Sequence, residues 1–107
     1  MVELHPLSLD GENFVAIEVQ LPKTTLVIIQ CEVGYVMCGA LDIPLLRTKL
    51  ANRGIVAARA VGVKTVQQLL DATVESSTQE AEALGINAGL PIRDALHLMK
   101  GQATKRD

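Results

Sequence analysis

Through the first forty positions apolar residues fall into short runs or alternate with polar ones; beyond them helical spacing enters. Over residues 13–21 the alternation is strict. Val15, Ile17, Val19 and Leu21 fall on one side and Ala16, Glu18 and Gln20 on the other, which predicts a strand with the odd-numbered residues turned to the core. A preceding strand over residues 2–9 turns at Asp10-Gly11, a dipeptide suited to positive φ, and Pro6 assigns it to a sheet edge because proline has no N–H for a ladder. After Pro22-Lys23, residues 24–31 are apolar on both sides, Leu26 and Ile28 against Val27 and Ile29, as in a central strand. A turn near Val33-Gly34 leads to a fourth strand over residues 35–40. Connections this short join antiparallel neighbours.

Past residue 40 the elements alternate in type. Asp42 has the side-chain oxygen of a helix cap, Pro44 suits a first helical turn, Leu45, Leu46 and Leu50 form an apolar stripe, and Gly54 is a natural stop. Residues 55–61 return to a strand. Thr65 caps a short helix carrying Val66, Leu69 and Leu70, and a brief strand is expected near residues 72–75. Ser77 and Glu80 have the spacing of a capping box, opening a helix that stops at Gly85. The last helix runs from Pro91 to Met99 with Ile92, Ala95, Leu96 and Met99 at helical spacing. The expectation is one α+β domain over residues 1–100, an N-terminal antiparallel β-meander continuing into a mixed sheet packed against three to four helices. Residues 101–107 are expected to form a polar C-terminal tail.

Composition narrows the function classes. Of 107 residues 49% are hydrophobic, yet the aromatics are only Phe14 and Tyr35, so the core must be aliphatic. Mean hydropathy is +0.28, but no apolar run approaches the ~20 residues of a membrane span, and the N-terminus lacks the pattern of a secretory signal. The expected location is cytoplasmic, without membrane association. The net charge is −2 and the ten basic residues are scattered, which argues against nucleic acid. Cys31 and Cys38 match neither a disulfide framework nor zinc-ligand spacing, and no phosphate-binding glycine pattern is present. No metal and no cofactor is expected.

The segment GYVMCGALD, residues 34–42, holds the sharpest chemical candidate. Cys38 falls where a strand gives way to a helix start, and a thiolate there is stabilised by unpaired N–H groups, which favours a nucleophile. The structural alternative is a buried thiol acting as a small hydrophobe, and Asp42 as cap competes for the same N–H groups. A thiol–imidazole pair would have to use His5 or His97, the two histidines of the chain. Arg59 stands inside an otherwise uncharged strand, where a guanidinium must be paired with a carboxylate or with an anionic ligand. Arg53, before Gly54, is explained by a helix C-terminus and is also a candidate ligand contact.

The segments TLVIIQCEVGYVMCGALDI, LANRGIVAARAVGVKTVQQLLDA and TQEAEALGINAGLPIRDALHLM together resemble the YunC-like family of small bacterial and archaeal domains of unknown function. The resemblance implies an α+β fold and no particular reaction, and Cys38, Asp42, Arg53 and Arg59 lie inside the shared motifs. Pro91 departs from the small residue expected before the last helix. Two functional expectations follow. One is a homo-oligomeric interaction or assembly module joined through an apolar sheet face. The alternative is an enzyme or small-molecule binder in which Cys38 is the nucleophile and Arg59, with Asp42 and Arg53, holds a small anionic ligand.

Overall fold

The computed structural model describes residues 2–39, 43–48 and 53–105. In chain order the described elements are β1 (Val2–Leu9), β2 (Glu12–Leu21), β3 (Thr24–Gln30), β4 (Gly34–Met37), α1 (Ile43–Thr48), β5 (Val56–Arg59), α2 (Val66–Asp71), β6 (Ser76–Ser77), α3 (Gln79–Ala83) and α4 (Ile92–Lys105). The six strands form one sheet in sequence order. β1 to β4 are an antiparallel meander, β4 and β5 are parallel, and β6 returns antiparallel to β5. This is the mixed α+β sheet expected from the sequence, with Pro6 on the edge strand and β3 paired on both sides. Asp10 and Gly11 take the positive φ values, 51° and 83°, that the first hairpin requires.

The main core lies on one face of the sheet. Val27, Ile29, Val36, Ala58 and Ala60 pack there with Leu69 and Leu70 of α2 and the stripe Ile92, Ala95, Leu96 and Met99 of α4. β2 joins this face through Phe14 and Ala16, which are 4% and 1% exposed. That corrects the expectation from alternation, since Val15 and Leu21 are exposed on the other side. Register is the cause. Ala16 sits opposite Ile29, in line with Val36 and Ala58, and alanines at Ala16, Ala58 and Ala60 leave room for two helices. The odd-numbered residues are just as apolar, so hydrophobicity alone did not distinguish the faces.

Several local boundaries differ from expectation, β4 ending at Met37 and β5 at Arg59, short of residues 40 and 61. The last short strand is at Ser76–Ser77, while Thr73 pairs with Pro91 in an isolated bridge. Thr78, not Ser77, caps α3 by accepting from the Ala81 N–H, and the Ser77 hydroxyl donates to Ile86 O at 2.8 Å. Thr78 is used fully: its hydroxyl donates to Ile55 O at 2.7 Å and also accepts from Ala57 N at 3.2 Å. Finally, α4 continues to Lys105 rather than stopping at Met99. Thr65 caps α2 as expected. The Asp42 cap and Leu50 lie outside the described residues.

Two features give direct tests. Gly34 faces Val56 across the parallel pair so closely that a Cβ would lie 2.1 Å from Val56 O. Gly34→Ala is therefore expected to destabilise the fold by about 2 kcal/mol or more, measured by urea denaturation. The second feature is His97 on α4, whose Nδ1 is 2.6 Å from Glu12 and whose Nε2 is 3.0 Å from Asp10, tying the helix to the first hairpin. A neutral imidazole donates from only one nitrogen, so two carboxylates favour the cation. Its pKa is raised, chiefly by the Glu12 hydrogen bond. A raised folded-state pKa means stabilisation that is complete below the ordinary value of 6.5 and is lost as pH climbs through the folded value. The stability difference between wild type and His97→Gln should shrink as pH rises above 6.5, and the His97 ring resonances should titrate above that value.

Candidate functional site

The site begins with the one parallel pair among the described strands. A parallel connection has to cross over, and here the chain leaves β4, forms α1 and returns as β5. α1 packs on the face opposite the main core, where Ile43 and Ala57 are buried together with Tyr35, Met37 and Ile55 around them. Met37 and Arg59 are register partners at the carboxyl end of the pair, the end at which open sheets containing parallel strands bind ligands. Beside that end, α1, β6 and α3 enclose a cleft of about 500 Å³ lined by Ile43, Arg47, Arg59, Glu75, Ser76, Ser77, Glu82 and Ala88.

Its charged groups form two ion pairs. Arg47 of α1 donates from Nη1 to Ser77 O at 2.8 Å and to Glu82 Oε1 of α3 at 2.6 Å. Arg59 of β5 reaches Glu75 Oε2 at 3.3 Å, and the Ser76 hydroxyl donates to the other oxygen of Glu75. The Ser76 hydroxyl, followed by the Arg59 charge, holds the Glu75 carboxyl below its usual pKa. All four charged side chains are partly exposed. Both guanidiniums have planar forks suited to a carboxylate, and both carboxylates are acceptors for a cationic N–H. Among the described residues, no group of three or more His, Cys, Asp or Glu side chains is arranged to hold a metal ion.

The sequence candidates are dispersed. Cys38 is 5% exposed and extends the antiparallel ladder by donating its N–H to Val27 O at 3.1 Å. Its place in the ladder puts it on the Val27 and Val36 side of the sheet, whereas Arg59, paired with Met37, is on the other. The sheet separates the two residues. Arg53 is at the opposite end of β5 from Arg59, beside a smaller cleft of about 340 Å³ that also contains Cys31, Glu32 and Tyr35. Burial raises the Tyr35 phenol pKa. Asp42 lies outside the described residues. The imidazoles are engaged elsewhere, His5 with Glu3 and His97 with Asp10 and Glu12.

Among the candidates within the described residues, Arg59 lines the cleft of about 500 Å³, and the sequence pattern does not single out its companions Arg47, Glu75, Ser76 and Glu82. Arg47 had a signal, being the one charged residue in Ile43–Thr48. Glu75 and Ser76 become neighbours of Arg59 only through the antiparallel return of β6.

Fold and cleft together define a small α+β protein in which a β-meander feeds a single β-α-β crossover with a charged cleft at its carboxyl end. The chain belongs to the family described as Domain of unknown function (DUF1805), which matches residues 37–99 and so includes the whole cleft. It is similar to "Uncharacterized protein YunC" of Bacillus subtilis (strain 168), at 54% identity over 96 residues covering 90% of this chain and 95% of that protein. It is also similar to the crystal structure of a protein of unknown function, TA1206, from Thermoplasma acidophilum. That match has a TM-score of 0.83 and 29% identity, and covers 92% of this chain and 93% of the other.

The burial of Cys38 is open to a chemical test. In the native protein an aromatic disulfide reagent is expected to modify the partly exposed Cys31 readily, and Cys38 only as the fold opens. Rapid modification of native Cys31→Ser would contradict this placement.

Proposed function

We propose that the protein is a self-associating module whose second copy covers the sheet face opposite α2 and α4. The observation that supports this is the row Leu4, Ile17, Ile28 and Met37, set side by side by the register of four strands. On this face Leu4 is 65% and Val2 63% exposed, and Val15 and Leu21 are exposed beside them. By register, β1 to β3 present no charged residue here. Three strands about 4.8 Å apart and about 25 Å long give a projected patch of roughly 350 Å². A patch on that scale is in the range of the largest apolar patch a protein exposes, which is often functional. A face without charge offers nothing to select a charged partner, whereas a two-fold axis through it pairs the face with itself. The two free cysteines suit a reducing compartment, which supports a cytoplasmic location.

A second reading, supported by the convergence of Arg47 and Arg59 on one cleft, is a small-ligand site there. It uses no thiol, since Cys38 lies across the sheet.

The self-association reading is tested by light scattering after size exclusion at micromolar concentration. Wild type is expected at twice the chain mass, and the double variant Leu4→Glu, Val15→Lys at the chain mass with an unchanged circular dichroism spectrum. A wild-type monomer throughout that range would rule the reading out.

A further inference from the structure

We propose that the cleft between α1 and β6 binds a zwitterionic small molecule of the α-amino-acid class, with an aliphatic side chain. This rests on the reading of the cleft as a ligand site and specifies what that ligand is. The argument starts from charge balance. Two guanidiniums and two carboxylates line the cleft, and each Arg already faces a Glu, at 2.6 Å for Arg47 with Glu82 and 3.3 Å for Arg59 with Glu75. A simple anion that binds either guanidinium stands beside the carboxylate which that guanidinium already faces, a like charge. A simple cation meets the mirror-image problem at the carboxylates. A molecule carrying both charges replaces an internal ion pair with two new ones and leaves no charge unmatched.

Geometry assigns the ends. Arg47 is held twice, by Glu82 and by Ser77 O, and forms a fixed wall. The Arg59–Glu75 pair is the longer of the two and is assigned to the ligand, with the carboxylate on Arg59 and the ammonium on Glu75. Ser76, already donating to Glu75, keeps that carboxylate oriented. Ile43 and Ala88 are the apolar part of the lining and suit an aliphatic side chain. The volume of about 500 Å³ falls within the range of small-molecule sites and accommodates one amino acid with water around it.

The test is a titration of the ¹⁵N-labelled full chain, following the amides of Glu75, Ser76 and Ser77. The probes are L-leucine, the carboxylate without the amine (4-methylpentanoate), the amine without the carboxylate (3-methylbutylamine), and succinate. L-leucine is expected to shift these amides saturably, with each single-charge probe at least tenfold weaker, and Arg59→Gln and Glu75→Gln are each expected to weaken L-leucine at least tenfold. If succinate or 4-methylpentanoate binds as well as L-leucine, the cleft is an anion site. The zwitterion proposal then fails while the ligand-site reading stands. Equal binding of the amine overturns the proposal in the same way. If no probe moves these amides, both fail. The comparison of probes uses the wild-type chain throughout, so it holds even where a variant does not fold.

Discussion

The close approach of Gly34 to Val56 is the constraint on which the second half of the molecule depends. A backbone contact with no space for a Cβ lets β5 lie parallel against β4, and a parallel neighbour is unreachable by a tight turn. The chain therefore has to cross over, and α1 is built on the way, on the face that α2 and α4 leave open. Because the strands are parallel, Met37 and Arg59 finish side by side, and β6 and α3 then fold back against that end. The cleft is thus a product of strand direction, assembled from residues far apart in the chain.

Legibility in the sequence followed the range of the interactions. Strand periodicity, the Asp10-Gly11 turn, the Thr65 cap and the α4 stripe are settled by neighbours within a turn or two, and they were readable. Which face of β2 is inward was not, because Val15, Ile17 and Val19 are as hydrophobic as Phe14 and Ala16, and only packing with α2 and α4 separates them. Ser77 and Thr78 are both cap formers, and the choice between them depends on Ile55 and Ile86, which are distant in sequence. The same limit applied to the cleft. Arg59 stands out as a charge within an apolar strand, but Glu75 is brought beside it only by the return of β6, and Arg47 enters the same cleft only through α1.

The two faces of the sheet have divided the work. One is closed by helices and contains the aliphatic core. The other is apolar across β1 to β3 and turns polar at its far end, where the row from Leu4 through Met37 finishes at Arg59. Arg47 belongs to both settings, since its helix rests on Ala57 through Ile43 while its guanidinium reaches β6 and α3.

Thr78 carries a consequence for motion. Its single oxygen bonds the carbonyl of Ile55, the amide of Ala57 and the amide of Ala81, so the entry to β5 and the first turn of α3 are anchored on one atom. Neither segment is able to separate without breaking bonds of the other. Local opening at this corner is therefore cooperative, and the strand that positions Arg59 and the helix that carries Glu82 share a common free energy of release. The strand and helix that flank the cleft are mechanically one body, joined at a hydroxyl group.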